Sequence, residues 1–285
     1  MKKRSFISAL MVLLMLMSFI LFPARQAEAA SKKTVYVLTG INYITEDGKT
    51  IPVHKYSYNK KGMLKSGTRG NGTVKMKFTY DKKGRLKTYE TKLNEWQVRK
   101  YTYNKKGKIC KVDTTYLDGS TRKFAYDGFH SVYKFNSKKQ VVKETAAGSV
   151  WDDKQEKSVK VTYDIRYSYD KKGRIVEKVN KTTGDSVKIT YDKKGSSGTM
   201  VYKSEDYTST SKSKNTYNKK GLLTKMEENE EDSNGDKIVS VYTYEYKKMK
   251  VKKSMVKKIK AQQEALMNQG LNFTIPDNDY AYGLY

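Results

Sequence analysis

Cysteine occurs once in this 285-residue chain, so Cys110 can close no disulfide within it and the fold must hold by pairing and packing. A single buried thiol is its expected role. Histidine occurs only as His54 and His130. Neither has metal-ligand spacing or a nucleophile signature beside it, and both read as surface or strand residues. There is no glycine-rich phosphate loop, no Gly-x-Ser-x-Gly and no His-Glu-x-x-His. Asp152 and Asp153, and Glu227, Glu228, Glu230, Glu231 and Asp232, are neighbouring carboxylates in expected loops, where such groups are solvated. The expectation is a protein that is not an enzyme, with no catalytic residue, metal ligand or cofactor.

Aliphatic bulk is also scarce. Apolar residues make up 37% of the chain, 24 residues are tyrosine, and charged residues reach 31%. A thin interior follows, with aromatic rings on one face of a sheet and hydroxyls reaching its rim. The only long apolar run, Phe6–Phe22, follows Lys2, Lys3 and Arg4 and precedes Ala27-Glu28-Ala29. Residues 1–29 read as a secretory signal peptide rather than a membrane anchor. The whole chain has 58 basic and 30 acidic residues. Subtracting Lys2, Lys3, Arg4, Arg25 and Glu28 leaves a mature excess of about +25, large for an exported protein.

What is abundant is a repeat. Tyr167-Ser168-Tyr169-Asp170-Lys171-Lys172-Gly173-Arg174-Ile175 returns at 56–64, 78–86 and 101–109, more loosely at 189–197 and 215–223, and in eroded form at 133–141 and 242–250. Asp or Asn opens a type I turn by accepting from the backbone two residues on, and glycine three places later takes the left-handed conformation. Before the turn, Val159, Val161, Tyr163, Ile165, Tyr167 and Tyr169 alternate with polar residues. That period is a strand's.

A second series of turn signals alternates with the first: Asp47-Gly48, Asn71-Gly72, Asp118-Gly119, Thr183-Gly184-Asp185 and Asn234-Gly235. A turn near Asn94, a longer loop over 146–158 and a Ser/Thr-rich run over 205–213 complete it. The fold class predicted is all-β, an antiparallel up-and-down meander of about sixteen strands. So broad a sheet curls into a half-barrel or coiled ribbon, or closes into a shell. From about Lys252 the spacing of Met255, Val256, Ile259 and Leu266 predicts one C-terminal amphipathic helix, with Gly270 as its cap, covering apolar surface. The domain reading is a signal peptide over 1–29, a hairpin repeat over 31–250, and helix plus tail over 251–285.

The Tyr-x-Tyr-Asp-x-x-Gly-Arg-Ile pattern at 167–175, with its partners at 78–86 and 101–109, resembles the YD-repeat (Rhs-type) family of bacterial surface and secreted proteins. The likeness covers about 40–250. It implies hairpins that spiral into a shell, and a cell-surface setting in which some members enclose a C-terminal toxin and others have had carbohydrate binding attributed to them. This chain lacks a recognisable core-closing segment or cargo domain.

The functional expectation comes from geometry. Lys60, Lys61, Lys82, Lys83, Lys105, Lys106, Lys171, Lys172, Lys193, Lys194, Lys219 and Lys220, with Lys138 and Lys139, all fall in turns at one end of the meander. Neighbouring pairs are roughly 10 Å apart, near one Debye length. Such a comb suits a polyanion. The expected partner is an anionic or carbohydrate polymer of the cell envelope, with an anionic lipid surface also considered and no specific nucleic acid. Tyr58, Tyr80, Tyr103 and Tyr169 are candidate sugar-stacking rings. A carrier of a lipid or hydrophobic ligand, and a structural or adhesive module, are the alternatives. Localisation is expected to be extracellular, in association with the cell wall.

Overall fold

A computed structural model describes residues 32–152, 155–192 and 197–267, with side chains to residue 263. The expected signal peptide, the aromatic tail and Gly270 lie outside the described residues.

The chain alternates strand and tight turn sixteen times. The first eight strands are β1 (Lys32–Ile44), β2 (Thr50–Tyr58), β3 (Leu64–Arg69), β4 (Val74–Tyr80), β5 (Leu86–Lys92), β6 (Trp96–Tyr103), β7 (Ile109–Leu117) and β8 (Phe124–Phe135). The second eight are β9 (Val141–Asp152), β10 (Lys157–Tyr169), β11 (Ile175–Asn180), β12 (Ser186–Tyr191), β13 (Ser197–Lys203), β14 (Thr208–Tyr217), β15 (Leu223–Asp232) and β16 (Lys237–Lys252). Each strand pairs antiparallel with the next in sequence, and β16 pairs with β1 from Lys32↔Lys252 to Ile44↔Val241. That last pairing closes the curl into a barrel, where a half-barrel or ribbon would have left two edges exposed.

Polarity alternates along each strand. In β10, Tyr163, Ile165 and Tyr167 are buried on the inner face while Lys160, Arg166 and Ser168 are exposed on the outer one. The inner core joins Leu38, Tyr56, Phe78, Tyr101 and Val112 to Ile165 and Tyr167. Burial of each such side chain contributes about 2 kcal/mol. Phe129 needs the glycine beneath it: a side-chain carbon at Gly148 would lie 2.7 Å from its ring, which instead approaches Tyr163 at 5.7 Å between centroids.

The interior also holds charge. Glu144, 1% exposed, accepts hydrogen bonds from Tyr133 (3.2 Å) and Tyr167 (2.6 Å). The Lys178 ammonium lies over the Tyr167 ring; burial pushes its pKa down, and Glu144 partly offsets this. Arg99, also 1% exposed, stands over Tyr89.

Five local expectations are corrected. Glu227, Glu228, Glu230, Glu231 and Asp232 lie in strand β15, and Asp152 ends β9, rather than in loops. The loop expected over 146–158 is mostly strand, because Ala146 packs at the core and Gly148 makes room for Phe129. The Ser/Thr-rich run turns only at 204–207 and then enters β14, with Ser209 and Ser211 buried. The eroded copy at 242–250 does not turn. It has Glu245 where the others have Asp or Asn and Lys248 where glycine stands, and it stays extended within β16 to close the barrel. Cys110 is half-buried rather than buried, its thiol 3.6 Å from the Thr102 carbonyl.

The first seven residues of β1 pair with β16 alone, leaving an open edge. A 3₁₀ turn and the helix α1 (Val256–Met267) cover it. Ile259 packs with Val35, Val37, Met63 and Val251. The Gln263 carbonyl accepts from the Leu38 amide at 2.6 Å, and the Gln262 carbonyl from the Leu64 amide at 2.9 Å. Two glutamines thus satisfy strand amides that lack a strand partner.

Candidate polyanion-binding rim

Each lysine pair is set by the residue in front of it. Asn59 Oδ1 accepts from the amides of Lys61 and Met63, and Asp170 Oδ1 from those of Lys172 and Arg174. Asn218 repeats the pattern with Lys220 and Leu222. The amides of Gly62, Gly84, Gly107, Gly173 and Gly221 close the turns onto the first residue's carbonyl at 2.9–3.0 Å, with φ between 71° and 79°. At 136–140 Lys139 occupies the glycine position and takes φ 65° itself. The eroded copy therefore still turns.

The Asp side chains are spent inside the motif. Asp81 and Asp170 each bond the Arg four residues on, Nε at 2.7 Å in both cases. The Arg174 backbone amide, and then its side chain, hold the Asp170 carboxyl below the usual carboxylate range. Both carboxylates are thus bound to the Arg that follows the glycine. Lys60, Lys61, Lys82, Lys83, Lys105, Lys106, Lys171, Lys172, Lys219 and Lys220 are all exposed. Lys193 and Lys194 lie outside the described residues.

Because each described lysine turn joins an even-numbered strand to the following odd-numbered one, the closed meander brings these turns to one rim. Successive pairs are two strands, or roughly 10 Å, apart. The helix adds to the same rim: Lys258 Nζ donates to the Lys83 carbonyl at 2.6 Å, and Lys257 and Lys260 are exposed beside it. Sequence reasoning missed this contribution. The signal was the basic helix itself, whose docking place only the open β1 edge reveals. At Tyr36 the Lys220 ammonium lies 4.8 Å from the ring centroid and lowers the phenol pKa.

The four candidate stacking tyrosines have another role here. Tyr58, Tyr80, Tyr103 and Tyr169 donate to the carbonyls of Leu38, Leu64, Leu86 and Val141 at 2.5–2.7 Å. Each ring reaches back one hairpin and clasps it. Arg85 lies over the Tyr103 ring at 4.3 Å, so the motif's Arg covers the face of the next repeat's tyrosine. The rings are half-buried packing elements. Burial pushes the phenols of Tyr58, Tyr103 and Tyr169 up to about 12.

Residues 41–135 match the family model described as Teneurin YD-shell. Over that span, a third of the chain, the hairpins are similar to those of that family. The matched span runs from β1 through β8, and the tyrosine clasp continues past it at Tyr169 and at Tyr191, which donates to the Ile175 carbonyl at 2.9 Å. No curated protein matches the chain. Among solved structures it is similar to a porin-like protein from Bacteroides uniformis ATCC 8492, with 11% identity and a TM-score of 0.34 over 74% of this chain and 96% of that one. That likeness is too distant to bear on function.

Among the described residues the histidines and acidic residues form no cluster of three or more that could hold a metal ion. His130 Nδ1 lies 2.8 Å from Asp113, which also bonds Lys111, while His54 stacks on Tyr56. Glu227 pairs with Lys225 and Glu228 with Ser211. Asp152 bonds Gln155, and Asp153 lies outside the described residues. No helix among the described residues is long and apolar enough to cross a membrane. Lipid-facing lysines cost about 2–4 kcal/mol each near a bilayer midplane, and the outer faces of β4, β6 and β10 carry exposed Lys75, Lys77, Lys100 and Lys160.

Proposed function

We propose that this YD-repeat barrel is an exported, non-enzymatic binding protein whose lysine rim holds an anionic polymer of the cell envelope. The observation that carries the reading is the gathering of the described Lys-Lys turns on one rim, four of them opening on an uncharged Asn and the other two on Asp81 and Asp170, which bond Arg within the motif. A ring of cations near one Debye length apart sustains a continuous positive potential, which suits a long flexible polyanion better than a small ligand. The apolar and charged groups buried along β1–β11 fill the inner face there, which favours the rim over a carrier's hollow. The hydroxyl clasps favour charge over sugar stacking. The signal-like N-terminus and the YD-shell match support an extracellular or cell-wall setting.

Co-sedimentation with purified cell walls across a salt series tests this. Retention should fall steeply with salt. Replacing Lys105, Lys106, Lys171, Lys172, Lys219 and Lys220 by Gln should flatten the log–log salt slope by about 0.7 for each polymer anion left unneutralised, as on a single-stranded polyanion. Retention that ignores both salt and the six substitutions would remove the rim from the account.

A further inference from the structure

The two rims differ in sign, and the difference has a use. Over the six described lysine turns the sequence carries roughly +13, and over the seven described turns of the opposite rim roughly −4. In the 204–207 turn Glu205 and Asp206 are exposed and have no ion pair among the described residues. The same rim displays large apolar side chains. Leu93 is 62% exposed, Phe124 64%, Trp151 64%, Ile238 57% and Val239 60%, and all lie in its turns or at the strand ends beside them. Every strand has a neighbour on each side and α1 covers the open stretch of β1; the opposite charges and the exposed apolar side chains are gathered at the two rims.

The geometry points to a second copy of this chain as the occupant of the acidic, apolar rim, its lysine rim docking there so that barrels stack head to tail. An anionic bilayer would be repelled by the carboxylates that attract the lysines. The contact is heterologous, since each rim meets the other kind, and copies stacked along a common barrel axis form an open filament rather than a ring. Each added copy presents a fresh acidic rim at one end and a fresh lysine rim at the other. The stack is therefore open-ended, sensitive to salt, and in competition with polymer for the lysines.

Sedimentation velocity across a wide concentration range tests the proposal on the intact exported chain, beside two variants whose far-UV circular dichroism confirms folding. Glu205→Lys/Asp206→Lys spoils one rim; Lys105→Glu/Lys106→Glu spoils the other. At low salt the unaltered protein should form a concentration-dependent ladder that dissolves at high salt, and each variant alone should stay monomeric. Mixed together, they retain one good rim of each kind and should give a single heterodimer and nothing longer. Trp151→Ser should weaken stacking about tenfold. A monomer at every concentration, a ladder indifferent to the acidic-rim variant, or a mixture without heterodimer overturns the proposal. So does a monomer that instead floats with phosphatidylglycerol vesicles in a Trp151-dependent way. The acidic-rim variant should still sediment with cell walls, so failure of stacking and failure of polymer binding read out separately.

Discussion

Removing one hydroxyl from a tyrosine clasp should destabilise the barrel without touching the lysine rim. In Tyr103→Phe the ring stays in place under Arg85, and only the 2.6 Å bond to the Leu86 carbonyl is removed. A typical net hydrogen bond is worth about 1 kcal/mol, and leaving a buried carbonyl unpaired raises the cost to about 1–2 kcal/mol. Tyr169→Phe removes an equivalent bond at a distant site, while Tyr80→Phe removes two, since its hydroxyl also accepts from Gln262 Nε2 at 2.6 Å; at about 1–2 kcal/mol per bond the triple variant should lose about 4–8 kcal/mol. Urea unfolding followed by far-UV circular dichroism measures this as a shift of midpoint at constant slope. The same clasps set an alkaline limit. The folded phenols of Tyr58, Tyr103 and Tyr169 titrate at about 12, against about 10 in the unfolded chain. Their stabilising share is complete below pH 10 and is lost as pH rises through 12. The triple Phe variant, starting lower, should lose less stability over that window. If the single variants fall within about 0.3 kcal/mol of the parent while wall binding drops, the hydroxyls serve a ligand and the clasp account is wrong.

Other substitutions separate turn strain from packing. A methyl group at Gly62 would meet Ile259 at 2.7 Å and Val251 at 2.8 Å, whereas at Gly221 nothing lies within 4 Å. Both have φ above 70°, so Gly221→Ala should cost about 1–2 kcal/mol from backbone strain alone and Gly62→Ala about 1–3 kcal/mol more, with α1 released to proteolysis. Lys139→Gly, at φ 65°, should gain about 1 kcal/mol in thermal or urea unfolding. Glu144→Leu strips the carboxylate from Tyr133 and Tyr167 and from the vicinity of buried Lys178; a loss of about 3–5 kcal/mol is expected in urea.

The strand count was readable because turn and strand signals are local: Asp170 and Gly173 declare their hairpin without help from the rest of the chain. Closure was not, since nothing in Val241–Lys252 names β1 as its partner across some 200 residues. The 242–250 copy held the clue, in that a repeat stripped of its turn residues must go on as strand. Burial of Glu144 was equally hidden, because its partners come from β8 and β10 and only the assembled inner face brings them round it. The lysine positions were legible, being turn residues by chemistry. The tyrosines' duty was not, because each hydroxyl's acceptor is sixteen to twenty-eight residues away.

The single seam between β1 and β16 has a kinetic consequence. Fifteen of the sixteen pairings join neighbours in sequence and can form progressively, each on the back of the last, at small loop-closure cost. The sixteenth must bring the two ends of the domain together. A nascent or truncated chain lacking Lys237–Lys252 would be a nearly complete ribbon with two raw edges, the state most prone to stray partners. Ring completion, followed by docking of Gln262 and Gln263, is then the step at which an adhesive ribbon becomes a sealed particle.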